Sequence, residues 1–483
     1  MKITKIQYSN IRGFEHLLID LDSTSNILIT GNNGNGKTTF LRALSMTFCD
    51  EMGAAGLLSE LPGQFITYGK DQGAVLVELE NAEGTKIRIE TRIFDRFGTE
   101  QVRKVYSTWD SDSQNWDEQT EAELSELDEI QHTNLFTVAY GTCLRILGKE
   151  RYNNYYSADA VYSLFKIDTL LQEQELTIRR LLDEAEKSSQ KNHKQLVEKN
   201  IMSMIGRMLS HGDYPNIKLE GNGIFFGADQ EYPSELTTKG DGVRAVVTMV
   251  LDLMAWWYLY LLDNEIIDEN NFHDTSKISG VVMIDEVALY LHPSWQRNII
   301  GNFIQSFPNV QFIFTTHAPL CVSGATDFED KIKFIRFSKP EKYSEAEEYF
   351  LPKGYSTDEI LTSMAFGLSS SMSPNVEAKV TELVQLISSQ SQDRTSSESI
   401  STLTDEISKI STQLGNRTWH AMTQESLRMT LQNMATDDLE TLNPSVLEQS
   451  LIEKIRAMNI GEIDEEESES FEEIRQPPML END

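Results

Sequence analysis

GNNGNGKTTF, residues 31–40, follows directly on the apolar run Ile27-Leu28-Ile29-Thr30 and fits G-x-x-x-x-G-K-[ST]. A β-type stretch that breaks into glycines and reopens as an apolar helix, Phe40-Leu41-Arg42-Ala43-Leu44, has the context of a phosphate-binding loop. Gly31, Gly34 and Gly36 let the chain turn so that successive N–H groups point at β- and γ-phosphates, and the helix opening near Lys37 adds its positive dipole end. The expected ATP contacts are Asn32, Asn33, Gly34, Asn35, Gly36, Lys37, Thr38 and Thr39. Lys37 is expected to hold the β/γ oxygens and the Thr38 hydroxyl to be a Mg²⁺ ligand.

Composition limits the rest of the chain. Its 483 residues are enough for two or three domains and a large core. Cys49, Cys143 and Cys321 form no C-x-x-C pair, which speaks against a disulfide framework or a zinc site and fits a reducing cytoplasm. The start, MKITKIQYSNIRGF, has no apolar core of a signal peptide. The longest apolar run, Val246 to Leu262, carries Asp252 and reads as a buried helix rather than a membrane span. A net charge of −34, from 42 basic and 76 acidic residues, argues against a general nucleic-acid coat, because phosphate neutralisation needs Lys and Arg. Any DNA contact is expected to be local or made through a partner.

Residues 1–30 alternate as two strands, Ile3, Ile6 and Tyr8, then Leu18, Ile19 and Leu21, around an Arg12-Gly13 turn. After the phosphate loop comes a β-rich stretch in which Lys86, Arg88 and Arg92 alternate with Ile87, Ile89 and Ile93. That basic face reads either as a solvated antiparallel face or as a small nucleic-acid or partner contact. Tyr155 to about Ser210 is helical, with a Lys-rich surface at Lys187, Lys191, Lys194 and Lys199. Past Lys353 the pattern gives helices over 357–367, 376–387 and 446–458, a Ser/Thr/Gln-rich linker over 388–402, and an acidic tail, IDEEESESFEE.

Two further apolar runs end in chemistry. Val281 to Ile284 reads as a buried parallel strand closing on Asp285-Glu286, and Val310 to Thr316 as another closing on His317. Asp285 is expected to position Mg²⁺, Glu286 to be the general base toward the attacking water, and His317 to sense the γ-phosphate. Before them, ELTTKGDGVRAVVTMVLDLM places Thr238, Gly240 and Gly242 at the mouth of a long apolar helix, a second helix N-terminus suited to phosphate.

That order of motifs resembles the ABC-type ATPase heads of the SMC, RecF and overcoming-lysogenization-defect families. The resemblance implies an α/β P-loop fold: a central, mostly parallel sheet and an antiparallel β subdomain, with a helical insertion and a helical C-terminal region. Laid on the chain, this gives a first part of the head at 1–150, the insertion at 151–212 and a second part of the head at 213–353. A helical region at 354–458 and an acidic tail at 459–483 follow. It further implies that a signature loop of one copy completes the ATP site of another, either as TTKGD with Thr238 or as DGVRA centred on Gly242, and both registers stand open. DEVALYLHPSW is similar to the D-loop, and Arg12 sits where the SMC-like group has an N-terminal Arg near the nucleotide. AYGTCLR, ending at Arg145, occupies the Q-loop segment without its glutamine, and Gln64 is a poor substitute.

Beyond His317 no strand-end Glu and Asp-x-Asp set of a Toprim nuclease is found; Asp327, Glu329, Asp330 and Asp437-Asp438 follow no suitable strand. His420 is the last histidine, too few for an HNH centre. LPKGYSTDEILTSMAFGL and SPNVEAKVTELVQLI are similar to the linker of the PtuA-like ATPases of Septu anti-phage systems. This resemblance implies a homo-oligomeric cytoplasmic ATPase with ATP and Mg²⁺ as cofactors, a separate HNH endonuclease partner, DNA met through the complex, and no membrane. Alternatives are a DNA-repair ATPase of the RecF or SMC kind that binds DNA itself, or a regulatory ATP sensor with slow turnover.

Overall fold

A computed structural model describes residues 1–379 apart from 22–25, 112, 120–134, 143–147, 167, 210–216, 222, 228–232, 369–372 and 376. The chain divides into a unit Met1–Gly367 and a unit Leu368–Asp483. Nearly all of the second unit, with the expected helices past residue 376, the linker and the acidic tail, lies outside the described residues.

The chain opens with β1 (Lys2–Ile11) and β2 (Phe14–Asp20), antiparallel around the Arg12-Gly13 turn. Leu17, Ile19 and Leu21 face inward, so Leu18 points out and is 55% exposed, one residue out of phase with the alternation expected for it. β3 (Asn26–Gly31) runs into the phosphate loop, then α1 (Lys37–Thr47) and α2 (Glu51–Ser59) follow. β4 (Gln72–Glu80), β5 (Lys86–Arg96), β6 (Thr99–Asp110) and β7 (Asn115–Gln119) extend the first pair into one antiparallel sheet, ordered β2-β1-β4-β5-β6-β7.

β8 (Thr137–Tyr140) enters the second sheet, and the short β9 (Gly148–Glu150) and β10 (Leu171–Gln172) pair with each other. Between and after them lie α3 (Ser157–Val161), α4 (Gln174–Glu186) and α5 (His193–Met208). The segment expected to be helical throughout is therefore interrupted at Leu171–Gln172, where the backbone bonds to β9 instead. β11 (Ile217–Glu220), β12 (Gly223–Phe226) and β13 (Ser234–Glu235) form a small sheet before α6 (Asp241–Asp263). Then come β14 (Gly280–Ile284), α7 (Pro293–Gln296), α8 (Ile299–Ser306), β15 (Val310–Thr315) and α9 (Pro319–Ala325). β16 (Ile332–Ser338), β17 (Glu345–Glu348) and α10 (Thr357–Thr362) end the unit.

The second sheet has the order β17-β16-β3-β15-β14-β8, parallel except for β17. Its strands are apolar on both faces because both faces are covered. Leu28, Val282, Ile284, Phe312 and Phe314 feed a core shared with α4, α5, α6 and α8, while Ile27, Ile29, Val281, Met283 and Ile313 feed a core shared with α1 and the antiparallel sheet. The sheet is thus sandwiched, and the C-terminal ends of β3, β15, β14 and β8 emerge side by side. Among the described residues α6 is the one helix long and apolar enough to cross a membrane, but 94% of its apolar window is buried in this fold.

Two of the three bases on the β5 face are paired with carboxylates. Arg88 pairs with Glu78 on β4 at 2.7 Å and stacks over Trp116, and Arg92 pairs with Glu90 at 2.7 Å. The solvated reading of that face fits these pairs.

Candidate functional site

The phosphate loop is built where β3 stops. Gly31 has φ 131°, a region closed to side chains, and a Cβ there would run into the Phe337 carbonyl of β16. Asn35 donates from Nδ2 to that same carbonyl at 2.7 Å, so its side chain braces the loop against β16. Gly36 caps α1, with Phe40 N–H donating to its carbonyl at 2.8 Å. The loop therefore arrives with its N–H groups and the N-terminus of α1 facing a cleft of about 560 Å³, inside the range of small-molecule sites.

Lys37 is 6% exposed, and its Nζ donates to the carbonyls of Gly31 at 2.9 Å and Asn32 at 3.3 Å and to Nε2 of His317 at 2.7 Å. Burial pulls its amine below the ordinary lysine value, while Glu286 and Asp285 oppose the shift. An ammonium has only donors, so Nε2 of His317 accepts and the ring proton is assigned to Nδ1. Burial first and the Lys37 charge second hold the His317 imidazole below its usual value, which keeps it neutral near pH 7.

Asp285 closes β14 and Thr315 closes the neighbouring β15. The Asp285 carboxylate accepts from Thr38 Oγ1 at 2.7 Å on one oxygen and from Thr315 Oγ1 at 2.5 Å on the other. Thr315 Oγ1 also accepts the Glu286 N–H at 2.8 Å. Glu286 sits in the left-handed region with φ 50°, and its Oε2 accepts the His317 N–H at 3.1 Å. The ends of three adjacent parallel strands thereby place Lys37, Thr38, Asp285, Glu286 and His317 in one cleft with Asn33, Gly34, Gly36 and Thr39.

Of the expected residues, Asn32 and Asn35 belong to the loop without lining the cleft, and four others lie apart from it. Arg12 occupies the β1–β2 turn with φ 44°, where its guanidinium donates to the Pro62 carbonyl at 2.9 Å and lies over the Phe65 ring. It does not line the cleft, because those two partners hold it against the segment before β4. Thr238 donates to the Glu235 carbonyl at 2.7 Å, Gly240 caps α6, and neither lines the cleft of its own chain. Nor does Gly242, which packs on the D-loop: a Cβ there would meet the Tyr290 carbonyl at 2.6 Å, whereas one at Gly240 meets open space. Gln64 is exposed and also outside the lining.

Thr315, part of the TTH run, does not line the cleft but braces it from beneath, because the pairing of β14 with β15 puts its hydroxyl between Asp285 and the Glu286 N–H. Arg42 of α1 and Gly141, Thr142, Ser163, Leu164 and Lys166 also line the cleft and carried no motif. Only the position of Gly141-Thr142, where a Q-loop belongs, pointed toward them.

AAA domain families match residues 5–206 and 253–323. Both matches are to AAA domains, and the fold is of the P-loop ATPase class. The chain is similar to the Septu protein PtuA of Bacillus mycoides (strain KBAB4), at 24% identity over 414 residues, 84% of this chain and 50% of that protein. The chain thus spans half the length of this relative. Over a 41-residue stretch, 8% of each chain, it is 58% identical to the retron Ec83 probable ATPase of Escherichia coli. The SMC head domain from Thermotoga maritima superposes with a TM-score of 0.42 at 15% identity, covering 73% of this chain and 100% of that one.

Proposed function

We propose that this ATPase binds and hydrolyses ATP as a subunit of a bacterial anti-phage defence complex, assembles through its nucleotide sites, and controls a separate HNH nuclease. The observation that carries the reading is the meeting of Lys37, Thr38, Asp285, Glu286 and His317 at the ends of three neighbouring parallel strands. On binding, Lys37 exchanges backbone carbonyls and His317 Nε2 for phosphate oxygens. Thr38 and Asp285 are hard oxygen donors 2.7 Å apart, which suits Mg²⁺, a cation that takes few protein ligands and fills its shell with phosphate and water. Thr38 and Asp285 would hold the Mg²⁺, whose charge would offset that of the transferred phosphoryl group. Glu286 orients the attacking water and accepts its proton, and His317, released from Lys37, moves its ring proton from Nδ1 to Nε2 through solvent and donates from there toward the terminal phosphate.

The defence role rests on similarity to the Septu and retron proteins, and with it come the cytoplasmic setting, the HNH partner, and DNA met through the complex. Assembly rests on Thr238, Gly240 and Gly242, which stand at the start of α6 and would face a phosphate held by a second copy. The binding of labelled ATP tests the core of the proposal. Lys37→Ala should abolish it at unchanged thermal stability, and wild-type affinity in that variant would remove the site. Sedimentation with and without ATP, then cleavage by a candidate HNH partner under both conditions, tests assembly and control.

A further inference from the structure

Part of the cleft lining, Ser163, Leu164 and Lys166, is supplied by the segment just after α3, and three hydrogen bonds fix it there. The hydroxyl of Ser163 donates to the Ala139 carbonyl of β8 at 2.8 Å and accepts the Gly141 N–H at 3.0 Å. Gly141 has no room for a side chain, because a Cβ would run into the Ser163 carbonyl. Arg42, one helical turn beyond Thr38 on α1, donates from Nε to the Leu164 carbonyl at 2.5 Å. The segment is therefore clamped from both sides, by the strand next to Asp285 and by the helix that carries Lys37.

Two residues past this clamp, Lys166 lines the same cleft. Its amine is exposed and lies over the Tyr162 ring, and Tyr162 in turn donates to Glu60 at 2.8 Å. Tyr162, Asp168 and Glu60 all favour its charged form. A triphosphate and the two carboxylates of Asp285 and Glu286 put more negative charge in this space than Lys37 and one Mg²⁺ would neutralise, and the Nε of Arg42, the other cation of the lining, is turned to the Leu164 carbonyl.

We propose that Lys166 is a second phosphate-binding cation of the ATP site, delivered by the α3 segment, so that nucleotide occupancy is felt by the helical lobe that follows it. The inference rests on the ATP site proposed above. In binding, the Lys166 amine turns from the Tyr162 ring to a phosphate oxygen.

The test is equilibrium binding of labelled ATP to the full chain and its variants, with circular dichroism and melting to check folding. Lys166→Ala should weaken binding about tenfold or more, as expected for loss of a charge-assisted hydrogen bond. Lys166→Arg should restore most of the affinity, and the salt dependence of binding should be shallower in Lys166→Ala than in the wild type. Because Lys166 is exposed, its variants should melt as the wild type does. Wild-type affinity in Lys166→Ala, with Lys37→Ala inactive, would overturn the role of Lys166 and leave the ATP site standing. Wild-type affinity in both variants would overturn the ATP site itself. A loss in Lys166→Ala that Lys166→Arg does not relieve would also overturn the proposal, because a phosphate-binding cation needs charge and reach, which arginine keeps.

Discussion

Glu286 holds φ at 50°, a conformation that a non-glycine residue keeps only when its surroundings fix it. The fixing group is Thr315, whose one hydroxyl accepts the Glu286 N–H and donates to Asp285. The proposed general base and the carboxylate proposed to face Mg²⁺ therefore share a brace, and two substitutions separate their duties. Glu286→Gln should preserve ATP binding and slow hydrolysis by about 10²-fold or more, the usual contribution of a general base. A phosphate-release assay under saturating ATP reads this, and normal turnover would pass the role to another group, with His317 the first to examine. Thr315→Val keeps the shape but leaves the buried Asp285 oxygen and the Glu286 N–H without that partner. It should lower stability by roughly 1–3 kcal/mol and reduce turnover while ATP still binds. Denaturant melts alongside the same assay check it, and unchanged turnover would mean that the brace does not position the base.

At the scale of elements, the site is the consequence of strand order: β3, β15 and β14 lie side by side and parallel, so their C-terminal ends deliver the loop, the histidine and the acid pair to one place. Those ends were legible in the sequence because each strand is an unbroken apolar run stopped by polar residues, as Val281–Ile284 before Asp285-Glu286. The rest of the lining was not legible, because Ser163 and Lys166 reach the cleft through a contact with Gly141 that no periodicity or motif announces. The basic alternation on β5 was visible, but Glu78, which neutralises Arg88, belongs to another strand.

The long helix α6 carries a feature of the same kind. Asp252 is buried in its apolar length, and its carboxylate accepts from the Gln172 N–H at 2.7 Å and the Tyr140 hydroxyl at 3.0 Å. Burial outweighs those bonds and pushes the carboxyl from 3.8 up to about 7. The folded chain thus keeps a proton that the unfolded chain releases near 3.8, so this group's contribution to stability is greatest below that value and is lost as pH rises toward 7. Asp252→Asn can keep the Gln172 bond through its oxygen, while its amide donates to Tyr140, whose proton can turn to the Met249 carbonyl 3.2 Å away. The variant should melt above the wild type near pH 8, with the gap closing as pH falls toward 4. Melting curves across that range check it, and a gap independent of pH would mean that Asp252 is not titrating in the fold.

For the whole molecule, the decisive quantity is the inventory of groups able to hydrolyse a phosphodiester. That chemistry needs a metal cluster or an activated nucleophile. Among the described residues no group of three or more His, Cys, Asp or Glu is placed to hold a metal ion. Asp285 is taken up by Thr38 and Thr315, and Glu286 by the His317 N–H in the ATP cleft. Of the acids after His317, Glu329 pairs with Lys353 at 3.2 Å, and Asp327 lies in a short 3₁₀ turn after α9 rather than at a strand end. Cys49 and Cys321 are buried, and burial raises their thiols to about 11 and about 12, which leaves neither as a nucleophile. Beyond residue 379 the sequence adds only one histidine, His420. The chain alone is therefore expected to leave plasmid DNA intact with Mg²⁺ or Mn²⁺, and cleavage should begin when the HNH protein is supplied. Running the assay with the chain, with Lys37→Ala and with the partner separates the cases: metal-dependent cutting by the chain alone that survives Lys37→Ala would place a nuclease centre within this chain and remove the need for a partner.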